Sequence, residues 1–347
     1  MKQKKVVLLI DSRHYGGIEA HVEQLALLLV CKGWQPEIWL WRRYSDSNHT
    51  LEQFARKVDL PICYLNGIVS FMSALLSGMP LLLHTHGYKA NIVGRLTAWL
   101  FKVPVVSTFH NGDPGTGRIS FYNWLDKMTS GLSSNIAVSQ PIADGLPVKA
   151  TIIPNFLCRI KESFLKKNGP FIAFVGRLSE EKGADQFLAM AGCYPNYRFR
   201  VYGSGPQESM LQRLAPSNVQ LMGHVQMTSV WKDVQLLCIT SRYEGLPMVA
   251  LEAMAHGIPV VAFSVGALPW VIRPEYNGWL AEPRNISSMG NLVQYWQSMS
   301  LEEQQTIKKN SYDWVKRFFS GDAVWPVLSK VYCRAVSRKS GSRIMLN

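Results

Sequence analysis

Apolar residues along this chain come in short solid blocks, separated by stretches in which they recur every three or four positions. The blocks at 6–10, 37–41, 81–85, 105–109, 135–138 and 151–153 are almost continuously apolar, the pattern of parallel strands buried on both faces. Helical periodicity fills the gaps, most visibly at 18–31 and 90–101. This alternation predicts an open parallel sheet with helices on both sides. A polar, basic stretch at 159–168, carrying Lys161, Glu162, Lys166 and Lys167 and closed by Gly169-Pro170, interrupts it and reads as a linker. Strand blocks then resume at 171–175, 198–202, 219–221, 236–240, 259–262 and 278–280. The expected fold class is α/β with two Rossmann-like domains, at 1–158 and 169–319. Residues 301–336 are helical in pattern and carry Tyr312, Trp314, Phe318, Trp325 and Tyr332. That aromatic content predicts packed helices rather than a free tail, with the segment at about 320–347 returning to the N-terminal domain.

Composition adds a charge of +13 over 347 residues, which favours anionic partners without choosing among them. One local concentration, Lys330, Arg334, Arg338, Lys339 and Arg343 with no acidic residue, reads as a solvated, mobile basic tail. None of the six cysteines forms a C-x-x-C pair and no metal-ligand spacing is visible. Most lie in apolar segments, where cysteine behaves as a small hydrophobe, which fits a reducing compartment. The apolar run after Lys5 is too short for a signal peptide. The longest apolar stretch, 69–83, is broken by Gly78 and Pro80, short of the ~20 residues needed to span a bilayer. The expectation is a cytoplasmic protein, soluble or peripheral at the inner membrane face.

Three segments at predicted strand ends could carry chemistry. After the first strand, Gly16-Gly17-Ile18-Glu19 offers glycine freedom and a helix start whose N–H groups attract anions; a plain strand-to-helix turn reads equally well. After the 171–175 strand, Gly176 is followed by Arg177 and Lys182, two cations suited to a diphosphate at the carboxyl end of an open sheet; taken alone they are two surface cations. The third segment is the most informative. It runs from Arg242 through Glu244, Gly245, Leu246 and Pro247 to Glu252, with Pro247 placed for the first helical position. Glu252 falls in an otherwise apolar helix, where an ionised carboxylate needs a partner. Sugar and ribose hydroxyls would serve, since carboxylates only accept hydrogen bonds; a salt bridge to a nearby arginine is the competing reading.

Glu244 to Glu252 resembles the E-x7-E motif of retaining glycosyltransferases of family 4, which have the GT-B fold of two Rossmann-like domains facing each other across a cleft. "GRLSEEKG", "YGSGP", "SRYEGLPMVALEAMAHGIPVVAF" and the N-terminal "GGIE" agree with it. The resemblance covers nearly the whole chain, most specifically 171–280. It implies that Arg177 and Lys182 hold the donor diphosphate, that Glu244 lies beside the transferred sugar, and that Glu252 binds the nucleotide ribose. Gly16 and Gly17 would close over the phosphates. Gly245 and Leu246 belong to the donor-binding helix start, and Gly223, His224 and Val225 would flank the nucleobase. His110, in "VVSTFHNG", matches a histidine near the reacting sugar, and His86, in "HTHG", is an acceptor-side candidate. One departure is Ile153-Pro154-Asn155-Phe156, where many relatives carry I-P-N-G; this leaves Asn155 a weak site candidate.

The implied reaction moves a sugar, with retention, from a nucleotide-diphosphate donor, taken as a UDP-sugar, to a glycan or glycolipid acceptor in surface polysaccharide synthesis. No D-x-D occurs, so no metal and no cofactor are expected; Arg177, Lys182 and the helix starts would neutralise the leaving diphosphate. The alternatives are a GT-B nucleotide-sugar epimerase or hydrolase, and a non-catalytic basic binding protein. No nucleic-acid-binding signature is present. An anionic membrane surface is a further candidate partner, met by the basic tail and by a helix at 89–102 with Lys89, Arg95, Trp99, Leu100, Phe101 and Lys102.

Overall fold

The computed structural model describes residues 4–13, 15–44, 49–110, 117–161 and 169–340. Most of the segment read as a linker, and Arg343 of the basic tail, lie outside them. The chain divides into two compact units, Met1–Cys158 with Gly321–Asn347, and Arg159–Ser320.

The first unit is a parallel sheet of seven strands: β1 (Lys5–Ile10), β2 (Gln35–Leu40), β3 (Ile62–Tyr64), β4 (Leu82–His86), β5 (Val105–Phe109), β6 (Ser134–Ala137) and β7 (Ala150–Ile152). They lie in the order β3-β2-β1-β4-β5-β6-β7. The sequence pattern misses β3, which is only three residues long. The second unit has six parallel strands, β8 (Phe171–Val175), β9 (Arg198–Tyr202), β10 (Val219–Leu221), β11 (Val234–Ile239), β12 (Val260–Phe263) and β13 (Gly278–Ala281), in the order β10-β9-β8-β11-β12-β13. Each sheet reverses direction of growth once, between β1 and β4 and between β8 and β11. Such switch points open a crevice at the carboxyl ends of the strands, where α/β sheets take ligands.

Up to Ser340 the basic tail is not a mobile segment. It belongs to the helix Gly321–Ser340, which buries Val324, Leu328, Val331, Tyr332, Ala335 and Val336 in one core with Val6, Leu8 and Ile10 of β1. The burial of six apolar residues, at about 1.5–3 kcal/mol for each of the larger ones, outweighs the disorder that the charges alone would favour. Lys330 and Arg334 stay exposed one turn apart, with Arg338 one turn further on. The helix begins in close contact: a Cβ on Gly321 would lie 2.9 Å from Leu28 and 3.0 Å from the Cys158 carbonyl. All six cysteines are free thiols, but only Cys238 is buried, and Cys31 and Cys193 are exposed.

Arg95, expected on a basic face, is instead fully buried. It lies on the helix Tyr88–Leu100, and its Nη1 donates to the Asp126 carboxylate at 2.6 Å and to the Asp126 carbonyl at 2.7 Å. Its Nε donates to Ser107 and Ser133, and the guanidinium lies over Phe109. Asn91 donates to the second Asp126 oxygen. Burial pushes the Asp126 carboxyl up and the Arg95 guanidinium down, with the pairing opposing both shifts. This network joins the helices Tyr88–Leu100 and Arg118–Met128 to β5. Replacing Arg95 by Met should therefore destabilise the protein by about 3–5 kcal/mol, because Asp126 would be left buried and unpaired. Urea unfolding of the two proteins measures this, and a loss under 1 kcal/mol would show the network to be dispensable.

Candidate active site

In the second unit, the carboxyl ends of β8 and β11 flank the switch point, and two loops leave from them. The first, Gly176 to Gly183, carries Arg177 and Lys182; the second, Thr240 to Pro247, carries Glu244. They are stapled together. Gly183 has φ +68° and no room for a side chain, since a Cβ would lie 2.1 Å from the Thr240 carbonyl. Thr240 Oγ1 donates to the Gly183 carbonyl at 2.7 Å, and Gln186 Nε2 donates to the Thr240 carbonyl at 3.0 Å. Arg242 forks onto Asp185 at 2.6 and 3.0 Å, and its N–H donates to the Glu181 carbonyl.

The staple sets Lys182 Nζ 2.7 Å from Glu244 Oε1. Ser241 Oγ donates to the same oxygen at 2.6 Å. The Glu244 side chain is 6% exposed and that of Lys182 31%, so the cation keeps a solvent-facing side. Arg177 is exposed and makes no ion pair among the described residues. The helix Met248–Ala255 follows, with Pro247 as its cap rather than its first residue. Leu246 is buried, and the Gly245 carbonyl accepts from the Ala267 N–H.

Glu252 lies on this helix and makes no ion pair or side-chain hydrogen bond among the described residues, so the arginine salt bridge is not there. Burial pushes its carboxyl up to about 7. Its side chain is half-buried, an acceptor that a ligand hydroxyl could meet. The Gly223 carbonyl accepts from the Gly203 N–H at 2.8 Å, placing Gly223, the exposed His224 and Val225 just past the end of β10. Gly203, Gly205 and Gly266 were not singled out in the sequence. A Cβ on them would meet the Gly176 carbonyl at 1.8 Å, the Leu178 carbonyl at 2.4 Å and the Glu244 carbonyl at 2.0 Å, so each allows a backbone to press against a site loop.

In the first unit, Gly16 caps the helix Gly17–Cys31 in an extended conformation, and neither Gly16 nor Gly17 takes a positive φ. The left-handed freedom suggested for them is unused; what they leave is space, since nothing lies within 4 Å of a Cβ on Gly17. At the ends of β4 and β5, His86 Nδ1 and His110 Nε2 are 3.2 Å apart. His84, two residues before His86 on the same face of β4, is held by Tyr332 Oη at Nδ1 and by Thr108 Oγ1 at Nε2, each at 2.7 Å. His21 packs edge-on against His110 and against Phe156, and Asn155 hydrogen-bonds it. All four histidines are buried, and burial lowers their pKa values, that of His21 to about 4. His110 also lines a pocket of about 310 Å3, with Gly87, Tyr88, Asn91, Trp124 and Lys127.

Comparison with known proteins bears on the family and the fold. Residues 15–156 match the family described as Glycosyltransferase Family 4, and residues 159–314 match Glycosyl transferases group 1. An Escherichia coli UDP-Gal:alpha-D-GlcNAc-diphosphoundecaprenol alpha-1,3-galactosyltransferase is 25% identical over 78% of this chain and 80% of its own. A Haemophilus influenzae protein described as a glycosyltransferase is 32% identical over 37% of this chain, which spans 40% of that relative's length. Among solved structures, Anabaena HepE in complex with UDP superposes with a TM-score of 0.77 at 16% identity over 94% of this chain and 98% of its own. The sucrose-phosphate synthase of Thermosynechococcus elongatus gives 0.79 at 18% identity, over 97% of this chain and 100% of its own. The two parallel α/β units are thus the GT-B fold.

The raised Glu252 carboxyl has a consequence for stability. The folded protein holds its proton up to about pH 7, whereas the unfolded chain releases it near pH 4.3. Stability is therefore lost as pH rises between these values, by up to ~4 kcal/mol at about 1.36 kcal/mol per unit. Glu252→Gln removes this penalty. Its stability relative to the parent should be near zero at pH 4, rise toward pH 7 and then level off. Denaturant unfolding across that range tests it, and a pH-independent difference would mean that folding does not shift the Glu252 carboxyl.

Proposed function

Because this chain belongs to glycosyltransferase family 4, we propose that it transfers a sugar, with retention of anomeric configuration, from a UDP-sugar to a glycan or lipid-linked acceptor in surface polysaccharide synthesis. The observation that carries this reading is the stapled Lys182–Glu244 pair at the switch point of the second unit, followed by a helix that carries an unpartnered Glu252. Glu252 accepts from the ribose hydroxyls. Arg177 and Lys182 neutralise the diphosphate as it leaves, which lets the donor bind without a divalent metal, and the amide N–H groups from Gly245 onward add to them. Glu244 sits beside the transferred sugar. Gly223, His224 and Val225 flank the base. In the first unit, Gly16 and Gly17 leave room for the phosphates, and His110 and His86 face the reacting sugar and the acceptor. The E. coli relative's name specifies a UDP-Gal donor and a diphosphoundecaprenol acceptor, and HepE is also known in complex with UDP-glucose; both favour a uridine donor.

A lipid-linked acceptor implies work at a membrane, and one surface of the first unit supports this. No helix among the described residues is long and apolar enough to cross a bilayer. The helices Tyr88–Leu100 and Arg118–Met128 pack side by side, and they expose Trp99 and Leu100 at 61%, Phe121 at 57% and Trp124 at 55%. Lys102, Arg118 and Lys127 are exposed beside them. The one acidic residue on either helix is Asp126, which is buried against Arg95. Apolar side chains flanked by uncompensated cations fit the interface of an anionic bilayer.

The two glutamates should fail differently. Glu252→Gln should weaken free UDP as well as the UDP-sugar, whereas Glu244→Gln should leave UDP binding within a few-fold and impair transfer. Arg177→Ala should slow transfer by ~10²–10³. Titration calorimetry with UDP, run with and without magnesium, together with transfer assays, separates these effects. Equal losses of UDP affinity in both glutamate variants, or UDP binding that requires magnesium, would contradict the assignment.

Vesicle co-sedimentation tests the membrane surface. Binding should need anionic lipid, weaken with salt, and drop about tenfold or more when Trp99 and Leu100 are both replaced by Ser, since ~2 kcal/mol or more of apolar burial is removed. Equal binding to neutral vesicles, or none at low salt, would leave a soluble acceptor as the better reading.

A further inference from the structure

The pocket of about 310 Å3 in the first unit has a lining of two kinds. Part is polar, formed by His110 just past the end of β5 and by Asn123 on the helix Arg118–Met128. Part is apolar, formed by Trp124 on the same helix and by Ile142 on the helix Gln140–Asp144. Lys127 also lines it. Its Nζ lies where the two helices meet, 3.7 Å from the place of a Cβ on Gly145. Asp126 is the other charged lining residue, and its carboxylate is taken up by Arg95 and Asn91. Lys127 makes no ion pair among the described residues. The pocket therefore presents an uncompensated positive charge. Trp124 belongs to the pocket and to the outer surface at once. It is 55% exposed and stacks on Phe121, itself 57% exposed, with ring centroids 6.0 Å apart. The apolar lining thus continues onto the exposed face of the helix.

We propose that this pocket takes the acceptor and is built for a sugar joined to a lipid through phosphate. The sugar lies toward His110 and Asn123, the phosphate meets Lys127, and the first hydrocarbon units lie on Ile142 and Trp124 and leave over Phe121. Resting on the sugar-transfer reading above, this narrows the acceptor to one of the two classes named there.

The volume is at the low end of the ~300–1,000 Å3 of small-molecule sites, which suits one head group rather than a length of glycan. A soluble glycan has no use for an apolar lining that opens onto exposed aromatic rings, whereas a hydrocarbon chain gains from it. The anion that Lys127 meets has to sit between sugar and hydrocarbon. A phosphate diester links two groups and keeps its negative charge, whereas a carboxylate loses its charge on becoming an ester. Hydrogen bonds between an ammonium and a phosphate are among the strong ones. The phosphate of such an acceptor would also lie at the level of the bilayer head groups that the same helix is placed to meet.

The probe is farnesyl diphosphate, which carries a lipid and a diphosphate and is independent of the sugar. Titration calorimetry is run on the full chain with saturating UDP, so that the donor's diphosphate site is filled. Farnesyl diphosphate should bind saturably, about tenfold or more tighter than farnesol or inorganic pyrophosphate. Lys127→Ala should weaken it about tenfold or more, and Lys127→Arg should restore most of the loss. Trp124→Ser should weaken farnesyl diphosphate and leave pyrophosphate unchanged. A diazirine-bearing farnesyl diphosphate should cross-link to peptides from 118–128 and 140–146, a readout that needs no variant. Equal affinity for farnesol, an effect of Lys127→Ala under twofold, or cross-links confined to the second unit would overturn the pocket. UDP affinity should be the same in Lys127→Ala, Trp124→Ser and the parent. If UDP does not bind the parent but farnesyl diphosphate binds as described, the donor reading falls and the lipid-phosphate site stands.

Discussion

The contact between Gly183 and Thr240 is the constraint from which the second unit's chemistry follows. Two loops leave the sheet at the ends of β8 and β11, and nothing in the strands themselves would bring a lysine on one to a glutamate on the other. The Thr240 carbonyl sits where a Cβ of residue 183 would be, and the Thr240 hydroxyl closes the contact from the other side. The Arg242–Asp185 fork then fixes the loops against rotation. Lys182 and Glu244 meet because their backbones have no other arrangement available. The two charges are thus in place without a ligand, which is what preorganisation at the proposed site would require.

The first unit reaches rigidity by different means. Its polar groups are buried rather than stapled at the surface. Arg95 and Asp126 neutralise each other behind Phe109, and Thr85, Ser107 and Asn91 extend the network through the sheet. Immediately beyond Phe109 stands His110, and the C-terminal helix reaches back through Tyr332 to hold His84. The strand ends that carry histidines are therefore supported from both sides of the sheet. A buried ion pair contributes little net stability compared with apolar packing; its effect here is to tie two helices and a strand into one geometry.

Much of the architecture was legible in the sequence because parallel strands buried on both faces are written as solid apolar blocks. Twelve of the thirteen strands were read from the sequence in this way, and β3, only three residues long, escaped. The residues of the second-unit site were legible as neighbours in sequence, since loop 176–183 and loop 240–247 each carry their charges within a few positions. Their pairing was not, because it depends on two glycine-sized approaches that look like ordinary glycines in a string of letters. Arg95 was misread for the converse reason: its partner Asp126 lies 31 positions away, and a lone arginine on a helix looks exposed. The histidine cluster was half visible, through His86 and His110, but His21 joins it only once helix Gly17–Cys31 is docked on the sheet.

The distribution of charge around Glu244 carries the last step. Lys182 faces the Glu244 carboxylate at 2.7 Å and also keeps a solvent-facing side, so it can meet a second anion without giving up the first. Ser241 donates to the same carboxylate oxygen, so Glu244 remains partly satisfied if Lys182 leans away. Among the described residues Arg177 makes no comparable ion pair. Of the two cations on this loop, one is thus a fixed member of a carboxylate network and the other is not. In the proposed reaction a leaving diphosphate would gain negative charge on the oxygen released from the sugar, and an exposed guanidinium, with its fork of donors, would suit that change better than an ammonium already shared. Glu252 sits outside this balance. With no cation paired to it, its charge state follows from burial alone, and a ligand that donates hydroxyl hydrogen bonds is what would draw the proton off it.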